Sequence, residues 1–369
     1  MSLTAQNDEL TVAGNAEFPV NKGALCIKGW TSAEALRHPE RLTTPLARNR
    51  RGQLEPVSWN EALQRTAFGL YEAQSKYGRN AAGVFGSGAL TNEKTYLLGK
   101  FARVALRTSN IDYNGRFCMS SAAAAGNKAF GIDRGLPFPV ADIADAEVIL
   151  LIGSNIAETM PPLMQYFEAQ RRNGGKLIVV DPRTSTTAQS ATLHLRLTPG
   201  SDAALANGLM HLMVRDEWID EAFILGNTVG FEQVRGTAAS YWPERVERIT
   251  GVPEAQLIAA ARMLGSARSA MILTGRGPEQ QSQGVNNVLA FINIVLALGL
   301  VGKPASGYGC LTGQGNGQGG REHGQKADQL PGYRKIDDTA ARQHIAAIWG
   351  IAAEDIPKAG KSAYELLDS

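Results

Sequence analysis

The sequence predicts an α/β fold built on doubly wound, mostly parallel sheets in two domains. Two unbroken apolar runs, Val148–Ile152 and Leu177–Val180, are typical of strands that are buried on both faces of a parallel sheet. Between them, a helical pattern covers about Pro162–Arg172 and ends at Gly174-Gly175. Strand, helix and strand therefore form a βαβ unit, the building block of such sheets.

The same alternation of helix and strand extends through the rest of the chain. Ser58 is a suitable N-cap for a helix over Asn60–Lys76. Extended segments are predicted at Ala82–Phe85, Asn110–Tyr113, His194–Leu197 and Ala270–Thr274. Further helices are predicted at about Asn92–Leu106, Met119–Phe130, Asp202–Val214, Trp218–Leu225, Pro243–Ile249, Pro253–Leu264 and Val285–Leu298. Residues 1–45 show little periodicity, and we expect an irregular leader there.

Composition excludes several classes of function. The 369 residues are enough for two or more domains, and 37 basic against 35 acidic residues give a net charge of +2. Nothing in that balance indicates a nucleic-acid or membrane partner, and no apolar run of membrane-spanning length occurs. Three widely spaced cysteines argue against a disulfide framework, so we expect a cytoplasmic protein.

Four predicted strands end in small, polar or charged turns, where open α/β sheets bind ligands. These turns are Gly86–Gly88, Gly153–Asn155, Asp181–Thr184 and Thr274–Gly277. A glycine turn that opens a helix suits phosphate, and a carboxylate 28 residues after Gly153 suits a ribose or a base edge. The glycine patterns of ordinary NAD and ATP sites are absent. A nucleotide-type ligand and plain turns both remain open.

Cys118 stands where an extended segment meets a helix start, a position that favours the reactive thiolate. Arg116 nearby would favour it too. The alternative is a small buried residue with no chemical role. Cys26 has no second cysteine in local reach, and Cys310 reads as an ordinary core residue. None of the five histidines has metal-ligand spacing to another.

Seven segments, in order, carry a family resemblance. They are Asn21–Gly29 (NKGALCIKG), Asn114–Ser121 (NGRFCMSS), Leu151–Glu158 (LIGSNIAE), Val179–Thr184 (VVDPRT), Thr198–Asp202 (TPGSD), Gly275–Gln280 (GRGPEQ) and Leu311–Gly319 (LTGQGNGQG). Together they resemble the bis-molybdopterin-guanine-dinucleotide oxidoreductases, which include nitrate reductases and formate dehydrogenases. Within that family, the tract Gly307–Tyr333 and the Cys118-Met119 pair are similar to the assimilatory nitrate reductases.

The resemblance implies the molybdopterin oxidoreductase fold and a division into family domains. Residues 1–45 would be the remnant of an iron–sulfur domain, and 46–140 the first part of α/β domain II. Residues 141–305 would form the Rossmann-like dinucleotide-binding domain III, and 306–369 a return segment toward domain II.

The resemblance also implies roles for individual residues. Cys118 would coordinate molybdenum, a soft metal suited to thiolate. Arg276 would lie near the metal, Gln314 would line the floor of the active site, and Lys28 would sit on the electron path. The implied cofactor-binding residues are Asn114, Gly153, Ser154, Asn155, Glu158, Asp181, Arg183, Thr184, Gly200, Ser201, Asp202, Gln280 and Asn316.

In the family, Cys26 would be the fourth ligand of a 4Fe-4S cluster whose other three cysteines lie upstream. We therefore expect a truncated segment that is inactive by itself, lacking those cysteines and a C-terminal cofactor domain. The full-length parent would hold the cluster and reduce nitrate to nitrite by oxygen-atom transfer at a bis-MGD molybdenum centre, in nitrate assimilation. Its electrons would come from ferredoxin, flavodoxin or an NADH-linked reductase subunit.

Two alternatives accompany this expectation. One is a formate dehydrogenase or another oxyanion reductase of the same family. The other is a non-catalytic homologue that kept the fold and lost the metal, although Cys118, Asp181 and Arg183 argue against it. A plain nucleotide-dependent dehydrogenase is a distant third.

Overall fold

The computed structural model describes residues 1–7, 9–133 and 135–368, which form two compact units. The first unit combines Met1–Trp30 with Phe117–Gly313. The second unit combines Thr31–Arg116 with the chain from Gln314 onward. Within the described residues, no helix combines the length and the apolar character needed to cross a bilayer.

A five-stranded parallel sheet organises the first unit. We number its strands β1 (Val148–Ile152), β2 (Lys176–Val180), β3 (Leu193–Leu195), β4 (Ala270–Thr274) and β5 (Gly307–Cys310). Their spatial order is β5-β4-β1-β2-β3. The chain therefore builds outward from β1 to β3 and then crosses to β4 on the other side. This reversal between β1 and β4 is a topological switch point, where doubly wound sheets bind ligands.

Alternate residues of the central strands enter two different cores, which is why these strands are apolar throughout. Leu150 and Ile152 of β1 pack in one core with the helix Asp202–Arg215. Ile149 and Leu151 pack in the other with the helix Met164–Arg172. Because both faces of the sheet are covered, the apolar runs in the sequence correctly predicted a parallel sheet.

The remaining elements of the first unit surround this sheet. Its helices, beyond the two just given, are Ile27–Trp30, Ser120–Phe130, Ile156–Thr159, Thr186–Gln189, Glu221–Asn227, Phe231–Ala239, Pro243–Thr250, Glu254–Gly265, Arg276–Glu279 and Gly284–Ala297, with 3-10 turns at Val140–Asp145 and Pro161–Leu163. A helical turn at Gly115–Cys118 joins the units along the chain. Strands Ser2–Gln6 and Glu9–Ala13 pair antiparallel.

The second unit is mainly helical, with three short strand pairs. Its helices are Ser32–Arg37, Trp59–Tyr77, Asn92–Lys100, Gly317–Glu322, Thr339–Trp349 and Ala363–Leu367, with 3-10 turns at Arg79–Ala81 and Ala353–Asp355 and a π-helical turn at Phe101–Ala105. Its strands pair as Leu46–Arg48 with Leu54–Pro56, Val84–Gly86 with Ile111–Tyr113, and Gln329–Leu330 with Arg334–Lys335. The second pair is parallel and the other two are antiparallel.

Most predicted elements are present within a few residues of their expected bounds, but several differences stand out. The expected irregular leader contains the strand pair at residues 2–13 and two short helices, and its strands are largely exposed, so no apolar periodicity reports them. The predicted helix Asn92–Leu106 is α-helical only to Lys100. Elements that were not predicted include strand β5 and the helices Phe231–Ala239 and Thr339–Trp349. The family domain division at 45, 140 and 305 stays a prediction.

Candidate functional site

Two glycine turns meet at the switch point of the first unit. The Gly275 N–H donates to Ile152 O at 2.8 Å, and the Gly277 N–H donates to Gly153 O at 3.0 Å. Gly153 has a φ of +60°, and a Cβ there would lie 2.6 Å from the Gly277 Cα. Both the positive φ and the close approach of the two backbones require glycine at this position.

Polar side chains of the first turn are tied to the segment that follows β2. Asn155 Oδ1 accepts a hydrogen bond from Thr187 Oγ1 at 2.8 Å, and Glu158 Oε1 accepts one from Thr186 Oγ1 at 2.7 Å. The latter bond, first among several, lowers the pKa of Glu158. Ser154 is buried. The turn that begins at Gly153 is thus tied to the helix Thr186–Gln189, which follows the turn Asp181–Thr184.

Asp181 ends β2 as a buried carboxylate. Its Oδ1 accepts from the Arg183 N–H at 2.8 Å, which holds the following turn in shape. The Arg183 side chain is 73% exposed with its Nε 3.9 Å from the same oxygen, and Thr184 is exposed. The charged group of Arg183 therefore faces solvent, where it is available to an anion.

The segment after β3 brings a second buried carboxylate to this end of the sheet. Gly200 is exposed with a φ of +90°, and Ser201 Oγ donates to Thr198 O at 2.6 Å. Asp202 accepts from Gln281 Nε2 at 3.0 Å, and burial raises its pKa. Sequence reasoning missed Gln281, because only the folded chain brings it to Asp202.

The Cys118 thiol faces the Arg276 guanidinium. Arg276 Nη1 lies 3.4 Å from Cys118 Sγ and also donates to the Cys118 carbonyl. Gln280, which follows the same short helix, donates from Nε2 to Phe117 O at 2.6 Å. The expected proximity of Arg276 and Gln280 to the cysteine segment is therefore present in the structure.

Arg116, which we expected to favour the Cys118 thiolate, has other partners. Its guanidinium is paired with the buried Asp112, at 2.7 Å, and with Asp328, at 3.1 Å, within the second unit. Two carboxylates at this range hold the cation. The guanidinium in contact with Cys118 is that of Arg276, so the expectation for Arg116 was wrong.

A buried cluster that the sequence did not reveal surrounds the Arg276 guanidinium. Its Nη2 lies 2.7 Å from Glu279 Oε2, 3.1 Å from Cys310 Sγ and 3.0 Å from Leu311 O. Burial raises the pKa of Glu279 to about 7, against the lowering effect of Arg276. Burial, with Glu279 beside it, also raises the pKa of Cys310 to about 12. In the sequence, the three-residue spacing of Arg276 and Glu279 could have indicated this ion pair, because such a spacing brings two side chains together on one helical turn.

In the second unit, three predicted site residues converge on the turn at Gly88. Asn114 Oδ1 accepts from the Gly88 N–H at 3.0 Å, and the Asn316 N–H donates to Gly88 O at 2.7 Å. A Cβ on Gly88 would lie 2.1 Å from Gln314 Oε1. That Gln314 oxygen is buried and accepts no hydrogen bond from the described residues. Asn316 also caps the helix Gly317–Glu322 through the Gly319 N–H.

Cys26 and Lys28 lie in the N-terminal segment of the first unit, at the start of helix Ile27–Trp30. Cys26 is partly exposed and Lys28 is exposed. A hydrogen bond from the Gly29 backbone, first among several causes, lowers the pKa of the Cys26 thiol. All three cysteines are free, and the described residues contain no group of three or more His, Cys, Asp or Glu side chains arranged around a metal position.

Several known proteins are similar to this chain in sequence. The chain is 47% identical over 350 residues to the assimilatory nitrate reductase catalytic subunit of Bacillus subtilis. This match covers 95% of the present chain and 49% of the Bacillus subtilis protein. It is 36% identical to formate dehydrogenase H of Escherichia coli, over 97% of this chain and 50% of that protein. The chain therefore spans about half the length of these curated relatives.

A solved structure and a family model agree with this likeness. Acetylene hydratase from Pelobacter acetylenicus has the same fold, with a TM-score of 0.69 and 24% identity over 81% of this chain and 41% of that one. The model of the molybdopterin oxidoreductases matches residues 41–361. With the switch-point turns and the Cys118–Arg276 contact in place, the chain belongs to the molybdopterin oxidoreductase family.

Proposed function

We propose that this chain holds the molybdenum site of a protein that reduces nitrate to nitrite. The observation that carries the proposal is the free Cys118 thiol against the Arg276 guanidinium, beside the switch point of the sheet. The 47% identity to an assimilatory nitrate reductase subunit favours nitrate as the substrate. Because the chain spans about half of that relative, the activity is proposed for the whole protein and not for this segment alone.

The donor set at Cys118 suits a metal whose other ligands come with a cofactor. The chain offers one free thiol there, and no group of three metal-binding side chains among the described residues. A single thiolate completes the coordination sphere of a soft metal that is already bound by cofactor sulfurs. Arg276 places a positive charge beside this sulfur. These residues therefore fit a molybdenum–pterin group, held by Cys118.

The strand-end turns fit a guanine dinucleotide arm. The Gly153 turn presents backbone N–H groups before the helix Ile156–Thr159, and such a turn suits phosphate. Asp181, directly after β2, and Asp202, the first residue of the helix that follows β3, are buried carboxylates. A carboxylate accepts both N–H groups on the Watson–Crick edge of guanine. We propose that Ser154, Asn155, Glu158, Arg183, Thr184, Gly200, Ser201 and Gln280 complete this binding surface.

The second unit offers polar groups suited to a pterin edge. The buried Gln314 oxygen, without a hydrogen-bond partner among the described residues, is an acceptor that a pterin N–H could use. Asn114 and Asn316 hold the Gly88 turn beside it. We propose that this group of residues contacts a pterin of the cofactor.

Iron–sulfur binding does not fit the residues of this chain. A 4Fe-4S cluster is held by four cysteine thiolates. The chain has three cysteines, and only Cys26 lies in the N-terminal segment. We propose Cys26 as a single ligand in the whole protein, with Lys28 beside it, and derive no electron-transfer step from this chain.

The reaction consumes two electrons and two protons, with nitrate yielding nitrite and water. When bound, the cofactor would supply a metal centre able to exchange two electrons and accept the oxygen atom. This chain would supply the Cys118 thiolate and the positive charge of Arg276, which attracts an anionic substrate. The ferredoxin, flavodoxin or NADH-linked donor and the cytoplasmic location stay predictions.

A viologen-linked assay of the purified whole protein, produced in cells that make the molybdenum cofactor, tests the proposal. We expect nitrate reduction, about one molybdenum per chain, and loss of both on Cys118→Ser. Formate is the control substrate, because formate dehydrogenases are 36% identical to this chain. Formate oxidation without nitrate reduction would show that formate, and not nitrate, is the substrate. A protein without molybdenum would contradict the proposed cofactor.

A further inference from the structure

The short helix Arg276–Glu279 carries a buried ion pair directly beside Cys118. The Glu279 side chain is 1% exposed and the Arg276 side chain 24% exposed. Their closest atoms, Arg276 Nη2 and Glu279 Oε2, are 2.7 Å apart. Burying two charges is costly unless each serves the other or a neighbouring group. This cost indicates that the pair does more than fill space in the core.

The guanidinium is held from one side and presented on the other. Glu279 and the Leu311 carbonyl, at 3.0 Å, engage Nη2. The other terminal nitrogen, Nη1, contacts Cys118 Sγ at 3.4 Å and also donates to the Cys118 carbonyl. Because the guanidinium is planar and rigid, fixing Nη2 also fixes where Nη1 points.

Glu279 is itself fixed by hydrogen bonds from two strands. Thr274 Oγ1, at the end of β4, donates to Glu279 Oε1 at 2.9 Å, and Tyr308 OH of β5 lies 2.8 Å from the same hydroxyl. Cys310 Sγ, also on β5, lies 3.5 Å from Glu279 Oε1. The position of the carboxylate is thus set by the central sheet, the most rigid part of the first unit.

We propose that Glu279 is a positioning residue for the Cys118 site: its carboxylate, anchored to β4 and β5, holds the Arg276 guanidinium against the sulfur of Cys118. The importance of this contact for catalysis rests on the proposed function, in which Cys118 binds the metal. The contact itself does not depend on that function and can be measured without a metal.

The distance between Arg276 Nη1 and Cys118 Sγ reports the contact directly, and crystal structures of the metal-free 369-residue chain measure it. The wild type is compared with Glu279→Gln, which keeps the size of the side chain and removes its negative charge. The backbone of Thr274 and Leu311 serves as the local reference, because a general rearrangement of the site would move it as well.

A positioning role and a packing role predict different structures. If Glu279 positions Arg276, the guanidinium leaves the sulfur in Glu279→Gln, and the Nη1–Sγ distance grows beyond hydrogen-bonding range while Thr274 and Leu311 stay in place. A distance unchanged from 3.4 Å, or a guanidinium that moves only together with Thr274 and Leu311, would overturn the proposal. Glu221→Gln, which breaks an exposed ion pair with Arg235 in the same unit, is the matched control and should leave the distance unchanged.

A second variant keeps the test valid if Glu279→Gln does not fold. Thr274→Val removes the hydroxyl that donates to Glu279 Oε1 and nearly keeps the size of the side chain. The Nη1–Sγ distance should lengthen in this variant too, and an unchanged distance would overturn the proposal. If the distances follow the expectation while the whole protein fails to reduce nitrate, the proposed function falls and the positioning role stands.

Discussion

Replacing Glu279 with glutamine should remove a pH-dependent part of the stability of the first unit. Glu279 is 2% exposed, and burial raises its pKa to about 7 from a usual value of 4.5, against the effect of the Arg276 guanidinium. Between those two pH values the folded chain keeps a proton on Glu279 that the unfolded chain has lost. Glu279→Gln has nearly the same shape and cannot titrate, so the pH dependence of the stability difference between the two proteins reports this proton.

The sign and the size follow from the two pKa values. Because the folded pKa lies above the unfolded one, the stabilisation is complete below about pH 4.5 and is lost as the pH rises through about 7. The gap between the two values, at about 1.4 kcal/mol per pH unit, corresponds to about 3 kcal/mol. Burial raises the pKa of the neighbouring Cys310 to about 12 and raises the pKa of Tyr308 well above its usual value, so neither titrates in this window.

Hydrogen exchange of the β1 and β4 amides measures this stability, because a chain of two units need not unfold in a single step. The free energy of opening, corrected for intrinsic exchange, is compared for wild type and Glu279→Gln from pH 4.5 to 8. The difference, wild type minus variant, should fall by about 3 kcal/mol over that range. Glu221→Gln, with its side chain 63% exposed, should show no such trend. Parallel profiles for wild type and Glu279→Gln would refute the reasoning from burial.

Three further predictions test other parts of the structure. Gly153→Ala should destabilise the first unit by about 3 kcal/mol, because Gly153 has a φ of +60° and a Cβ there would clash with Gly277. Gly174 also has a positive φ but lies in open space, so Gly174→Ala should cost about 1 kcal/mol. The same hydrogen-exchange measurement checks both values. Arg103→Met should lower the stability of the second unit by about 3 kcal/mol and speed amide exchange in residues 324–330, because the buried guanidinium donates to four backbone carbonyls. An effect no larger than that of Arg103→Lys would contradict this prediction. Asp202→Asn should keep or raise the stability of the first unit at neutral pH, because burial raises the pKa of the Asp202 carboxyl. The same variant should bind guanosine monophosphate more weakly in calorimetry. Unchanged binding would remove Asp202 from the proposed site.

The central sheet could be predicted because its residues carry their own signal. Strands β1 and β2 are buried on both faces, so every position is apolar. Strand β5 could not, because its sequence, Gly-Tyr-Gly-Cys, is short and half glycine, a composition depleted in strands. Its place beside β4 comes from parallel pairing that no local pattern encodes.

The candidate site divides in the same way. Cys118, Arg276 and the turn residues were identified through the family resemblance, which depends on local motifs. Glu279 was missed because its surroundings depend on β5, which brings Cys310 to Glu279 and Tyr308 to Thr274, the residue that donates to Glu279. Arg116 was assigned to the wrong partner because proximity in sequence was taken for proximity in space, and Asp112 and Asp328 bind it instead.

The most direct test of the account is whether the atom at the Cys118 Sγ position binds molybdenum. Selenocysteine can be substituted for Cys118 in the whole protein, and the selenium X-ray absorption spectrum then reports the neighbours of that single atom. The account predicts a molybdenum neighbour at bonding distance from the selenium. A spectrum with carbon as the only neighbour, in protein that contains molybdenum, would contradict it.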